Sequence, residues 1–556
     1  MDNQSVAKAL SEIAAIKKAL GDNKFAVGAY YKAATFVANL AAPIAEVDLE
    51  NTKGIGEKIS RSIKELLSTG KIQFIVDNQR YLQADQKVEE LQRVEGIGEK
   101  TALVIYHKLG ISTLEQLKKA VADGSISAAF KDKTVEKIKR GIEYLETTKG
   151  RIRLDEGMAL AFKIYQYMKP FVKRIEFCGS LRRSKETVGD VDFAIVAQNG
   201  VDALRKFEQM PIVTKIIDSG DKKSSVWVNG VRVDCYVFTD DLFESGIMHL
   251  TGSDEHNKRL REIAISKGWI LSQYGIYNRG SDNKRTGDRL DDGTETGIYK
   301  LLGLEWIPPE HREGNIEIVK YALGNLVPLL QSSDIESDYH VHSTWSDGTN
   351  SVRENVEFAI ANGFKRIAIC DHSQSLKIAK GLSVERLQEK IAEIKQLRKE
   401  FPNIKILIGT EVDIKGDGSL DYPDEVLQQL DIVVAAIHTN TKKDVTEIYQ
   451  TAIRSGKVHV IAHITGRMIN ERPGLEMNVE EVLKTCAQYN VAIELNCQPN
   501  RLDANDAILK RCKALGVKIS LGSDAHEKNQ IKYVKSFGLW ISKRAWLTKD
   551  DLLDKD

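Results

Sequence analysis

The chain has 556 residues, 42% hydrophobic and 29% charged, with a formal net charge of +1. At roughly 100–200 residues per domain this predicts several folding units, and the ordinary apolar and aromatic content excludes a disordered chain. The absence of any run of about 18 apolar residues excludes a spanning helix, and near-neutral charge argues against a protein that simply coats nucleic acid or anionic lipid. The amphipathic start MDNQSVAKALSEIAAIKKAL carries no signal-peptide pattern, so a cytoplasmic protein without membrane contact is expected. Six cysteines without C-x-x-C spacing read as reduced, mostly buried thiols. Of 11 histidines, seven lie beyond residue 338, so the two ends are expected to run different chemistry.

Residues 1 to about 145 predict helix after helix, with apolar positions spaced by three and four, as in Val6, Leu10, Ile13, Ile16 and Leu20. From about 150 to 250 the pattern changes to short β-type runs, RIEFCGS, DVDFAIVA and RVDCYVF. Residues 250–317 are mixed and turn-rich, with DNKRTGDRLDDGTETG read as a hairpin or loop. Beyond KYALGNLVPLLQSSDIES, seven apolar strands alternate with helical segments, which predicts a parallel β/α barrel or a close relative.

Gly-Ile-Gly-Glu-Lys occurs twice, at Gly54, Gly56 and Lys58 and at Gly96, Gly98 and Lys100, each between helical patterns. Such glycines let the backbone turn sharply and present amides to an anion at a helix start, and the lysine adds charge. Ordinary interhelical turns would read similarly for one copy, but two copies flanked by Lys53, Arg61, Lys64 and Lys71 favour DNA. The string resembles the helix–hairpin–helix motif, which grips the nucleic-acid backbone without reading sequence.

In FCGSLRRSKETVGDVDFAI, Asp190 and Asp192 are two apart on a predicted strand, so both carboxylates leave one face. Asp234 in VRVDCYV could complete a triad from an adjacent strand, the set that two hard cations need to clamp a triphosphate. Upstream, Gly179-Ser180 offers close backbone approach and a hydroxyl, and Arg182-Arg183 offers guanidinium donors. A D-x-D on a strand is common by itself; Gly-Ser followed about ten residues later by Asp-x-Asp is far more specific.

GSLRRSKETVGDVD, the double hairpin motif and LTGSDEHNKRLR at 250–261 together resemble a family X DNA polymerase over about residues 1–317. The resemblance implies that Asp190, Asp192 and Asp234 bind two Mg²⁺, that Gly179, Ser180, Arg183 and Gly189 contact the triphosphate, that Asn257 touches the nascent base pair and that Arg261 meets the template. Two departures bear on activity. His249-Leu250 stands where vertebrate relatives carry an aromatic pair that screens the sugar. Ser62 replaces the Schiff-base lysine of the vertebrate repair enzyme, and serine lacks the amine that such chemistry needs, so efficient lyase activity is not expected.

In the histidine-rich end, DYHVHS sets His340 and His342 on one face with Asp347 just beyond, and later strands end on His372, Glu411, His438, His463, Asp524 and His526. One such histidine is usually a satisfied core or surface residue. Nine nitrogen and oxygen ligands at the carboxyl ends of successive barrel strands converge at the site face of such a fold and suit Zn²⁺, Mn²⁺ or Fe²⁺. This half resembles the PHP (polymerase and histidinol phosphatase) family, which implies that all nine bind two or three metal ions with Glu411 bridging, and leaves His459 as a non-ligand. Ile464, where polymerase-linked members often carry proline, should alter a turn only; Arg467 and Arg501 are secondary candidates for holding phosphate.

The fold class expected is multidomain: all-α helix–hairpin–helix domains at 1–88 and 89–148, an α+β nucleotidyltransferase palm at 149–248, a mixed α/β nucleotide-selecting domain at 249–317, a linker at 318–336 and a distorted β/α barrel at 337–556. The function expected is a DNA-directed DNA polymerase that fills short gaps in repair, with a metal-dependent 3′–5′ exonuclease or 3′-end-processing activity. It would use Mg²⁺ in the palm and Mn²⁺ or Zn²⁺ in the barrel, with gapped or primed DNA and deoxynucleoside triphosphates as partners. A monomer is expected, with a ligase or other repair protein as a further partner. The alternatives are a phosphoesterase whose polymerase half only holds DNA, and a non-catalytic repair scaffold.

Overall fold

The spacing of three and four in the N-terminal stretch closes into helices Asn3–Ala19, Lys24–Ala38 and Glu57–Thr69, whose apolar stripes bury Val6, Leu10, Ile13, Val37, Ile59 and Ile63 against one another. A second helical set, Glu99–Leu109, Leu114–Ala122 and Asp132–Thr148, closes over Leu91, Ile105, Leu117 and Ile138. The isoleucine inside each Gly-Ile-Gly, Ile55 and Ile97, is buried in its own core. In this computed structural model, residues 3–554 are described except 20–21, 39, 41–42, 45–46, 50–51, 53–54, 79–90, 92–93, 95–96, 98, 149, 315, 326–327 and 439–443. The chain divides into two compact units, Met1–Lys149 and Gly150–Asp556.

The second unit opens with β1 (Ile152–Arg153), β2 (Arg174–Phe177), β3 (Thr187–Val188), β4 (Asp190–Val196), β5 (Lys215–Ser219), β6 (Lys223–Val228) and β7 (Val231–Val237). β1 pairs with β3, and the other five form a sheet in the order β2-β4-β7-β6-β5. Within it β4 and β7 run parallel, with Asp192 directly opposite Asp234. Next come helix Asp254–Ser266, the antiparallel β8 (Trp269–Ser272), β9 (Gly275–Arg279) and β10 (Arg285–Arg289), and helix Glu295–Leu302. The DNKRTGDRLDDGTETG stretch thus forms a hairpin arm and a loop, and its last residues start that helix.

The seven apolar runs near the C-terminus form β11 (Ser337–Val341), β12 (Arg366–Ile369), β13 (Lys405–Asp413), β14 (Ile432–Ala436), β15 (Val460–Ile461), β16 (Ala492–Asn496) and β17 (Ile519–Gly522). They are parallel neighbours in chain order. A bridge between Val341 and Ala525, with His342 N donating to Ala525 O at 2.9 Å, brings the two edges together into a nearly closed barrel. Both faces of such strands are covered, so each reads as a continuous apolar run. One apolar cluster joins Leu154, Leu181 and Val188 of the palm to Ile464, Ile469 and Leu502 of the barrel. Among the described residues no helix is long and apolar enough to cross a membrane.

Candidate active sites

At the first repeat, Gly56 is the N-cap of helix Glu57–Thr69 and offers no side chain to the helix's first amides. The Ile59 amide turns back to the Gly56 carbonyl at 2.9 Å, so the Glu57 and Lys58 amides are the ones an external acceptor could take, beside the exposed Lys58 and Lys64 side chains. Ser62 donates its hydroxyl to the Lys58 carbonyl at 3.1 Å. Gly54, Gly96 and Gly98 lie outside the described residues, as does the Lys100 side chain.

In the palm, Gly179 follows β2 at φ +65°, and a β-carbon there would lie 2.7 Å from Asp192 Oδ2, so glycine is required for the loop to approach the acids. Asp190 is exposed, Asp192 half-buried and Asp234 buried. Burial, with repulsion from Asp190 and Asp234, pushes the Asp192 carboxyl up to about 7. Burial would also raise Asp234, but hydrogen bonds from Lys223 and Arg232 outweigh it and hold that carboxyl below its ordinary value. Lys223 Nζ lies 2.7 Å from Asp234, and Arg232 holds both of its oxygens at 3.0 and 3.1 Å. On charge the three acids fit a hard divalent cation, which would relieve Asp192 and compete with Arg232 and Lys223 for Asp234.

Arg183 Nη1 donates to the Thr251 carbonyl, while its buried Nε has no hydrogen-bond partner. Arg182 instead makes a bidentate pair with Glu295 at 2.9 and 3.0 Å, and Arg312 shares that carboxylate at 2.9 Å, which draws it down to about 2 against the opposing effect of burial. Asn257 is buried and donates to the His249 carbonyl at 2.8 Å, and the exposed Arg261 donates to the Asn257 carbonyl at 3.1 Å. Glu295, Arg232 and Lys223 escaped the sequence reading; the Arg-x-Asp and Lys positions on neighbouring strands were the signal available for two of them.

In the barrel, His340, His342, Asp347, His372, Glu411, His438, His463, Asp524 and His526 all sit at the carboxyl ends of the strands or just past them. His340 Nε2 faces His342 Nε2 at 3.1 Å, and His342 Nε2 lies 3.2 Å from Asp524. Glu411 is central: Oε1 lies 2.8 Å from His463 and 3.2 Å from His438, and Oε2 lies 2.8 Å from His372 Nδ1. That last contact lacks hydrogen-bond geometry, so both buried atoms, and His342 Nδ1, have no hydrogen-bond partner. Close, buried, unpartnered imidazole and carboxylate donors are what a metal ion holds together. Among the described residues, three groupings could hold an ion: His342, Asp347, His372 and His526; His340, His342 and Asp524; and His372, Glu411 and His438. Burial alone would raise Glu411, but the imidazoles of His438, His372 and His340 hold it well below the usual carboxylate range.

Buried acids orient these ligands and were missed in the sequence. Glu494 accepts from His340 Nδ1 at 2.6 Å and from the His463 amide at 2.7 Å, and a β-carbon on Gly522 would collide with it. Asp413 holds His438 Nδ1 at 2.6 Å. Asp371 ties down the loop that carries Asp347 through the Ser343 amide at 2.8 Å and the Ser346 hydroxyl at 2.7 Å, and Lys390 Nζ reaches it at 3.2 Å. A glutamate inside the apolar run VAIELNC was the signal for Glu494. His459 is half-buried and accepts from the Val433 amide at 2.9 Å, away from the cluster. Arg467 is committed to Glu186 and to two backbone carbonyls, so the expectation that it holds phosphate gives way to an internal ion pair. Arg501 lies 3.7 Å from Asp524.

The chain matches families described as helix-hairpin-helix domain at 1–72, SAM-like helix-hairpin-helix tandem at 88–143, DNA polymerase beta thumb at 246–313 and PHP domain at 338–498. It is 33% identical over its whole length to a Bacillus subtilis protein named DNA polymerase/3′-5′ exonuclease PolX, 97% of which is covered. It is also 26% identical, over 56% of this chain and 62% of the relative, to DNA polymerase lambda of Arabidopsis thaliana. Over 39% of the chain it is 29% identical to 90% of a Thermoanaerobacter protein named as a probable phosphatase. With helical hairpin domains, palm and barrel all present in one chain, and a full-length relative at this identity, the chain belongs to the family X DNA polymerases that carry a C-terminal PHP domain.

Proposed function

We propose that the palm adds deoxynucleotides to a primer 3′-hydroxyl in short DNA gaps during repair, and that the barrel removes or repairs 3′ ends that cannot be extended. The observation that carries the first half is the parallel register setting Asp192 against Asp234, with Asp190 two residues away on the same strand face. The second half rests on nine candidate ligands at one end of a barrel, eight of them in groupings that could hold an ion and His463 beside them on Glu411, in a chain whose relatives are named as a polymerase/3′-5′ exonuclease and a phosphatase.

Asp190, Asp192 and Asp234 would hold Mg²⁺, a hard cation suited to carboxylates, and the barrel ligands two or three Mn²⁺ or Zn²⁺ ions, which accept imidazole. When bound, such ions stabilise the attacking and leaving oxygens of a phosphoryl displacement. The residues of the chain position the reactants. Gly179, Ser180, Arg183 and Gly189 hold the triphosphate, Asn257 and Arg261 set the base pair and template, and Glu494 and Asp413 keep the ring nitrogens of His340 and His438 directed into the barrel site. The helix start at Gly56 and Lys58, and its counterpart at Gly96, Gly98 and Lys100, grip the DNA backbone.

Extension of a gapped primer and release of a 3′-terminal nucleotide, measured on wild type, Asp192→Ala and His342→Ala, test both assignments. Asp192→Ala is expected to lose extension by at least about a hundredfold, the cost of removing one preorganised charge-stabilising group, and to keep 3′ cleavage. His342→Ala is expected to do the reverse. Full extension by Asp192→Ala sinks the palm assignment, and full cleavage by His342→Ala sinks the barrel one.

A further inference from the structure

The loop between helix Gly179–Arg182 and β4 is braced by the PHP half. Arg544, at the end of helix Phe537–Arg544, is 3% exposed. Its Nη1 donates to the Arg183 carbonyl at 2.9 Å and to Glu313 at 2.8 Å, and its Nη2 donates to Asp506 at 3.0 Å. Arg467, four residues after the ligand His463, makes a two-pronged pair with Glu186 at 3.0 and 2.6 Å. The same guanidinium donates to the carbonyls of Arg501 at 3.0 Å and Leu502 at 2.6 Å, so it is fixed on the barrel side as well. A third brace, Arg151, holds Thr187 at 2.9 and 2.6 Å, and the Arg151 carbonyl is in turn held by Asn470 of the barrel at 2.9 Å. These contacts fall on residues 183, 186 and 187, between the groups assigned to the triphosphate at Ser180 and Gly189.

We propose that Arg544 and Arg467 are positioning residues for nucleotidyl transfer: the PHP half supplies the guanidinium groups that hold the triphosphate loop of the palm in its binding form. The inference rests on the reading of that loop as the triphosphate site. Exposed ion pairs contribute little, but these are buried or partly buried, the Glu186 pair is bidentate, and each arginine also satisfies backbone carbonyls that would otherwise lose a donor. A loop that holds a reacting group by position is sensitive to displacements of about 1 Å, which cost on the order of a hundredfold. The barrel is then part of the nucleotide site through Arg467 and Arg544.

Single-nucleotide gap filling by the full chain tests this, with KM for the deoxynucleoside triphosphate and kcat determined separately. Arg467→Ala, Glu186→Gln and Arg544→Ala are expected to raise KM about tenfold or more, within the range of such displacements, with a smaller fall in kcat. Arg467→Lys, which keeps the charge but not the fork, should recover part of the loss, and the Glu186→Gln/Arg467→Ala pair should cost no more than either change alone because both break one contact. Arg544→Ala leaves Glu313 and Asp506 short of a partner; if it does not fold, the Arg467 and Glu186 variants carry the test. Arg183→Ala separates the two levels of inference. A raised KM in Arg183→Ala with wild-type KM in folded Arg467→Ala and Glu186→Gln overturns the bracing role and leaves the triphosphate site standing. Wild-type KM in Arg183→Ala overturns the site assignment and the bracing role with it.

Discussion

Asp192 carries a burial penalty, with repulsion from Asp190 and Asp234 added to it, that the fold must tolerate. Its native carboxyl titrates near 7, against about 3.9 in an unfolded chain. Between those values the native state keeps a proton that the unfolded state releases, so stability falls as pH rises from about 4 to about 7, and the whole penalty is present above 7. Asp192→Asn removes the charge at nearly constant volume. In chelator, its melting temperature is expected to exceed that of wild type by a few degrees at pH 8 and to match it at pH 4. Added Mg²⁺ should raise the wild-type value more than the variant's, because only wild type keeps the full acid set for the ion. Equal melting curves at pH 8 would remove the argument for a strained triad. Lys390 is the opposite case. It and Asp371 are fully buried and paired, so Lys390→Met leaves a carboxylate without its cation beneath the Asp347 loop. A loss of about 3–5 kcal/mol is expected in denaturant unfolding, far beyond the change for an exposed pair such as Arg61–Glu57.

At the scale of elements, legibility followed burial. The seven barrel strands could be read because strands covered on both faces are apolar throughout, and a histidine or acid at the end of such a run stands out. Asp190 and Asp192 could be placed on one face from the strand period alone, whereas the pairing of β4 with β7 that sets Asp234 opposite Asp192 is a non-local choice that no local pattern encodes. The edge strand β5 is exposed along its whole length and carries no alternation to read. The supporting residues were hardest: Glu186 and Arg467 are ordinary surface residue types 281 positions apart, and only the folded chain joins them. The junction of helix Phe537–Arg544 with the region that matches the DNA polymerase beta thumb was equally hidden. There His311 stacks on Trp546 at 3.8 Å, accepts at Nδ1 from the Tyr321 hydroxyl and donates at Nε2 to the Lys543 carbonyl at 2.7 Å. Burial pushes this imidazole down to about 4, from about 6.5 when unfolded. Its contribution is therefore complete above about pH 6.5 and is lost as pH falls through about 4. His311→Gln keeps hydrogen-bonding capacity but cannot take up a proton, so the drop in melting temperature between pH 6.5 and 4 should be shallower than in wild type. An unchanged drop would place the acid sensitivity elsewhere.

For the molecule as a whole, a net charge of +1 looked like weak evidence against a nucleic-acid partner. Charge cancels over the chain but not over each surface: the palm acids gather negative charge at one site, while Lys58, Lys64 and Lys71 are exposed on or just beyond the helix that starts at Gly56. Contacts of that kind go to phosphates, each of which releases condensed counterions, so the logarithm of affinity for gapped DNA should fall linearly with the logarithm of salt, by about 0.9 per phosphate neutralised on duplex. Sequence plays no part in such a grip, so gapped substrates of different base composition should give the same slope. Lys58→Ala should weaken binding to all of them alike and make the slope shallower by about one phosphate contact. Asp192→Ala, which changes the chemistry of the palm and leaves that helix untouched, should leave the slope as it is. A slope unaffected by Lys58→Ala would mean that the first hairpin does not hold the backbone and that the DNA is held by other parts of the chain.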